Sequence, residues 1–126
     1  MRRHNIRIPL ILVTVLVALW LSPVPGRSGQ ADLKTFTGEV TDTICAKTGS
    51  HDVMMAKMPS MGRDKETCTK QCTEIGAKYV LYDDASKAVY TLDDQAKAKT
   101  FAGRKVRVAG TLEGNNIRVK DVEAVG

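Results

Sequence analysis

Residues 36–44 alternate apolar and polar side chains, Phe36-Thr37-Gly38-Glu39-Val40-Thr41-Asp42-Thr43-Ile44, and β-branched types dominate. A period of two in such residues predicts a strand with one buried face. Gly38 inside it marks a bulge or a sharp bend. The same period returns after Gly76: residues 78–82 predict a second strand, 83–87 a turn and 88–92 its hairpin partner, with Tyr79, Tyr82 and Tyr90 supplying aromatic packing. A cap at Asp93 or Asp94 opens a short helix running through Phe101 to Gly103. Residues 105–112 then place Val106, Val108 and Leu112 on one face, residues 113–116 turn the chain, and 117–125 form the last strand, with Ile117 and Val119 inward. The phase of that strand slips at Lys120-Asp121, so that Val122 takes the expected position, which predicts a bulge.

The segment from Cys45 to Gly76 interrupts this pattern. It opens with 46–50 as a loop and passes through methionines broken by Pro59 and Gly62. It ends in a helix of about three turns, with Asp64 as N-cap, Glu66 in the first turn and Gly76 just past the C-terminus. Cys68, Cys72 and Ile75 fall at i, i+4 and i+7 and are expected to share a face. Three strands, a helix and two further strands are the order of an oligonucleotide/oligosaccharide-binding (OB) barrel. The expected fold is therefore mainly β: a five-stranded OB-like barrel with a helix between strands 3 and 4. The segment 45–76 is a Cys/Met-rich loop plus helix inserted between strands 1 and 2.

The N-terminus changes the charge argument. Arg2, Arg3 and Arg7 precede an apolar run over 10–21, broken by Ser22-Pro23-Val24-Pro25-Gly26 ahead of Gly29-Gln30-Ala31. That is the layout of a cleaved secretory signal peptide, expected over 1–31, and the run is too short for the roughly 20 residues that cross a bilayer. Residues 32–126 are expected to form a single domain, periplasmic or extracellular, with no membrane contact after cleavage. Arg2, Arg3, Arg7 and Arg27 leave with the signal and no acidic residue does, so the 19 basic side chains become 15 against 14 acids and the net charge falls from +5 to +1. Such a balance excludes nucleic acid as an expected partner, because single-strand binding needs a basic groove with stacking aromatics.

All three cysteines, one of the two histidines and four of the five methionines lie in the interruption. The spacing is Cys45-x5-His51-x16-Cys68-x3-Cys72, with Met54, Met55, Met58 and Met61 in the long gap. Two thiols one helical turn apart point the same way, and a third cysteine with a histidine completes four donors. The expected metal ligands are Cys45, His51, Met54, Met55, Cys68 and Cys72. Thiolate, thioether and imidazole together favour copper(I), with zinc second if the set is three cysteines and the histidine. A metal-delivery or envelope protein is the expected partner. The same residues admit a second role: Cys45 bridged to Cys68 or Cys72 would make a disulfide-stabilised structural or interaction module with no metal. The methionines at helical spacing would then fill core gaps. There is no phosphate-binding loop, triad or Cys-x2-Cys pair at a helix start, so no enzymatic activity is expected.

Two resemblances bear on these readings. Residues 103–119, Gly103-Arg104-Lys105-Val106-Arg107-Val108-Ala109-Gly110-Thr111-Leu112-Glu113-Gly114-Asn115-Asn116-Ile117-Arg118-Val119, look like the closing hairpin of small exported bacterial proteins of OB fold. Together with Cys45, the stretch around His51 and Cys68 to Cys72, the chain resembles a group of small exported bacterial proteins of this architecture. In size, export and barrel fold it is also similar to the periplasmic copper/silver chaperones, which hold copper(I) with a histidine and methionines under a tryptophan. His51 and the four methionines match those residue types, whereas Trp20, the one tryptophan, lies in the expected signal.

Overall fold

The alternating segments pair into one sheet. The computed structural model describes residues 32–126, and the expected signal peptide over 1–31 lies outside them. Strand β1 (Lys34–Asp42) is followed by helices α1 (Thr43–Thr48) and α2 (His51–Lys57), a 3-10 turn (Pro59–Met61) and helix α3 (Lys65–Glu74). Strands β2 (Tyr79–Asp83) and β3 (Ala88–Leu92), helix α4 (Gln95–Lys99) and strands β4 (Lys105–Glu113) and β5 (Asn116–Ala124) complete the order. The protein is thus mainly β, and its five strands close into a ring in the order β1-β2-β3-β5-β4. Every junction is antiparallel except the short β3–β5 contact, where Leu92 lies opposite Ile117 in parallel.

β1 closes the ring by serving two neighbours. Its first part pairs with β4, Gly38 opposite Val106, and its second with β2, from Glu39 opposite Tyr82 to Asp42 opposite Tyr79. Gly38 stands at the changeover, where a Cβ would lie 2.4 Å from the Tyr82 carbonyl oxygen. Only glycine permits strands to approach so closely. The bulge expected in the last strand is present: Ala109 pairs with Asp121 and Gly110 with Val119, leaving Lys120 unopposed.

Val40, Leu81, Leu92, Val106, Val108 and Ile117 are fully buried inside the ring. Burying each such aliphatic side chain contributes about 1.5–3 kcal/mol. Gln95 ties α4 to the sheet, because its amide nitrogen donates to the Tyr79 and Leu92 carbonyls while its oxygen accepts from the Tyr79 N–H. A second, separate buried cluster consists of Cys45, Met54, Met61, Cys68 and Cys72, and it is the core of the segment between β1 and β2.

Four expectations are corrected. The first strand ends at Asp42 rather than Ile44, and residues 46–48, expected as loop, belong to α1. Both follow from one cause: Asp42 has extended dihedrals and caps α1, accepting the Ile44 N–H, so the helix starts at Thr43, one residue before the expected strand end. Ile75 does not share the buried face of Cys68 and Cys72; it is 65% exposed. α3 ends at Glu74 and Ile75 is its C-cap, so its side chain lies beyond the stretch of helix that packs on the sulfur cluster. Leu112 is 36% exposed because β4 runs out beyond the core toward its hairpin turn, whereas its partner Ile117 packs over Gly110. The buried face of α3 is therefore Cys68, Thr69 and Cys72. We expect Ile75→Ser to change the free energy of unfolding by less than about 0.5 kcal/mol. Leu81→Ala is expected to cost about 2–5 kcal/mol in the same denaturant titration. A large loss for Ile75→Ser would place that side chain in the core after all.

Candidate metal centre

Three helix starts aim the site. At the end of β1, Asp42 Oδ1 accepts the backbone N–H groups of Ile44 and Cys45, each at 2.9 Å. This satisfies two donors that a helix N-terminus leaves free, and it fixes Cys45 in the first turn of α1. Gly49, at φ 106°, ends α1 in the left-handed region, and Ser50 then caps α2 by accepting the Val53 N–H. His51 is thereby the first residue of α2 and turns inward, 5% exposed. Asp64 caps α3, as its position ahead of Glu66 leads one to expect, and two consecutive turns of that helix present Cys68 and Cys72 to the interior.

The result is a cluster of donors with almost no access to water. Cys45, Cys68 and Cys72 are at most 1% exposed, and Asp42 is fully buried. Cys45 Sγ and Cys68 Sγ stand 3.7 Å apart, beyond bonding distance, and all three thiols are free. One ligand atom each from Cys45, His51 and Cys68 lies within 4.8 Å of the others, and the same holds for Asp42, Cys45 and Cys72. Cys45 belongs to both groups. Cysteine and histidine side chains are therefore close enough together to hold a metal ion.

Among the described residues four buried side-chain polar atoms are unsatisfied, two of them Thr69 Oγ1 and Gln71 Oε1 on α3. The other two, Asp42 Oδ2 and His51 Nδ1, are buried in the cluster without a hydrogen-bond partner. A buried polar group in that condition is costly, and a buried carboxylate more so. The other imidazole nitrogen is engaged: His51 Nε2 lies 2.9 Å from Glu39 Oε1 and 3.1 Å from Thr41 Oγ1. Glu39 Oε2 in turn accepts from Lys65 Nζ at 2.8 Å. Burial of Glu39 works to raise its pKa, but the hydrogen bonds from His51 and Lys65 outweigh it and hold the carboxyl below its usual range.

Cys45 and Cys72 shift the other way. Burial first, then the Asp42 carboxylate and the neighbouring Cys68, push the Cys45 thiol well above its ordinary value. Burial and the charge of Asp42 push Cys72 up to about 12. Thiols in such surroundings are protonated at neutral pH and poor nucleophiles, the opposite of what redox catalysis at a cysteine requires. Cys45 and His51 nevertheless line a cleft of about 620 Å³, walled also by Glu39, Lys65, Asp83 and Asp84, so the cluster has a route to solvent.

Of the six expected ligands, Cys45, His51 and Cys68 come together in one group, and Cys72 joins Cys45 in the other beside Asp42. Met54 packs in the same buried cluster, while Met55 is only partly buried against it. Met61, absent from the expected set, is buried beside Met54, and Met58 is 43% exposed. Asp42 and Glu39 were not among the expected site residues: Glu39 reads as a polar position of an alternating strand, and Asp42, in the apolar phase of Phe36 and Val40, carries none of the soft donors that mark the expected ligands. Asp42 had one local sign, a carboxylate three residues before Cys45 where the strand pattern gives out, which is N-cap spacing. Glu39 had none, since its contact with His51 spans the interruption. No family model, curated protein or solved structure matches this chain, so the reading of the site rests on its own side chains.

Proposed function

We propose that the protein is an exported copper(I)-binding protein on an OB-like barrel, holding the ion in the segment inserted between its first two strands and performing no catalysis of its own. The observation that carries this reading is the buried contact of Cys45 and Cys68 beside His51. Two thiolates each about 2.3 Å from a single tetrahedral ion stand roughly 3.8 Å apart, close to the distance between these sulfurs. An ion would also compensate the buried Asp42 carboxylate. The ring order, the helix ahead of the fourth strand and the long connection after the first support the OB-like assignment, and in that fold the connection between strands 1 and 2 is one of the ligand-binding loops. The apolar run near the N-terminus supports export.

Soft donors select copper(I), and the buried thioethers of Met54 and Met61 add to that character. Zinc is the second choice, since three thiolates and an imidazole form a structural zinc set. The same 3.7 Å contact favours one further reading, a Cys45–Cys68 disulfide that braces the insertion and leaves Cys72 spare. The two demand different thiol counts. The metal reading requires all three thiols to react with a thiol reagent in unfolded, metal-stripped protein isolated without reductant, and the disulfide reading requires one.

In competition with a coloured copper(I) chelator, the wild-type protein is expected to take up the ion. Cys45→Ser, Cys68→Ser and Cys72→Ser are each expected to weaken binding by more than about 100-fold, beyond the usual effect of losing a supporting residue. His51→Ala is expected to weaken it less, and Met55→Ala least. Unchanged affinity in the cysteine variants would contradict the assignment. Because Cys45 and Cys72 hold their protons far above neutrality, each must release one when it becomes a ligand. Apparent affinity is therefore expected to rise with pH between about 6 and 8, by roughly tenfold per pH unit for each thiol deprotonated. A flat profile would exclude these thiolates as ligands.

A further inference from the structure

We infer that Glu39 is a positioning residue for the ion: by accepting the Nε2 proton of His51 it turns the Nδ1 lone pair of that imidazole toward the cysteine cluster. The inference rests on the metal reading above and extends it to a residue outside the donor set. A carboxylate only accepts hydrogen bonds, so an imidazole nitrogen 2.9 Å from Glu39 Oε1 carries the proton. Thr41 Oγ1, 3.1 Å from the same nitrogen, accepts the same proton or turns its own hydrogen elsewhere. On the other side of the ring, Nδ1 is buried and has no partner. A proton there would be a buried donor with no acceptor, so both sides of the ring favour the same tautomer. The nitrogen left with a lone pair is the one available to a cation.

Glu39 is itself held from both ends. Its two oxygens divide between His51 and Lys65, the first residue of α3, so a single carboxylate on β1 joins the start of α2 to the start of the helix that carries Cys68 and Cys72. A carboxylate behind a ligating histidine fixes the ring's tautomer and orientation and raises its basicity, and removing such a partner typically lowers metal affinity about 10–100-fold. Glutamine at this position would remove the charge, and its amide could either accept from or donate to the imidazole, so it would no longer enforce one tautomer.

The test uses full-length protein labelled with 15N at histidine, metal-free and under reductant, with long-range 1H–15N spectra. There are only two histidines, His4 and His51, and His51→Ala assigns the signals. We expect wild-type His51 in the Nε2–H form, with its Nδ1 resonance shifting on addition of copper(I) and its Nε2 proton retained. Glu39→Gln is expected to show a mixture of tautomers and a 10–100-fold weaker affinity for copper(I) in chelator competition. Glu39→Asp, which keeps the charge on a shorter arm, is expected to fall between the two. Folding of each variant is read from the dispersion of the same spectra, and tautomer exchange within a folded variant separates positioning from loss of structure. An Nδ1–H tautomer in the wild type overturns the inference, as does copper(I) affinity in Glu39→Gln equal to that of a wild type that binds. Failure of the wild type to bind copper(I) overturns the metal reading itself, and this inference with it.

Discussion

The carboxylate of Asp42 is the point on which the rest of the structure turns. It ends β1 opposite Tyr79, and its Oδ1 accepts the first free N–H groups of α1, so one side chain converts a strand of the ring into the first helix of the insertion. Without that cap the strand pattern would carry on through Ile44, and Cys45 would have no fixed relation to α3. With it, the Cys45 sulfur is set 3.7 Å from that of Cys68. The same carboxylate leaves Oδ2 buried and unpartnered against the thiols, so the residue that builds the cluster also makes it a place where positive charge is favoured.

Two cores with different chemistry follow from this division. The interior of the ring is filled by aliphatic side chains, Val40, Leu81, Leu92, Val106, Val108 and Ile117 among them. The insertion has a core made of sulfur: three thiols and the thioethers of Met54 and Met61. Sulfur side chains pack as small hydrophobes, so this second core is apolar in its own right. Packing alone does not explain why a fully buried carboxylate and an unpartnered imidazole nitrogen accompany them, and those two groups are the ones the proposed ion would compensate. The raised thiol pKa values are consistent with this, because such thiols resist adventitious chemistry until a soft cation displaces their protons.

The strands were legible in the sequence because each has one buried face and the alternation records it; even the slip at Lys120 could be read from the shifted phase of Val122. Caps were legible where a carboxylate stood at a clean boundary, as at Asp64 and Asp94. The failures lie where one residue serves two elements. Asp42 interrupts the apolar phase of Phe36 and Val40, but Ile44 resumes that phase, so the pattern reads on through it and its service to α1 was hidden, and with it the helix over 43–48. Ile75 kept helical spacing with Cys68 and Cys72, but it stands at the C-cap where the packed stretch of the helix has ended, and spacing does not record how far along a helix its neighbours reach. The cysteines and His51 could be nominated from composition, yet Glu39 could not, since a contact between positions 39 and 51 across a strand and a helix leaves no trace in any local pattern.

In the proposed function the sulfurs of the insertion and the imidazole of His51 share one copper(I) ion. X-ray absorption at the copper edge of protein loaded with copper(I) tests it most directly. The account predicts a reduced copper ion with a shell dominated by thiolate sulfur and one nitrogen scatterer showing the multiple scattering of an imidazole, the nitrogen component disappearing in His51→Ala. A shell of oxygen and nitrogen without sulfur, or protein that emerges from desalting with no copper, would contradict it.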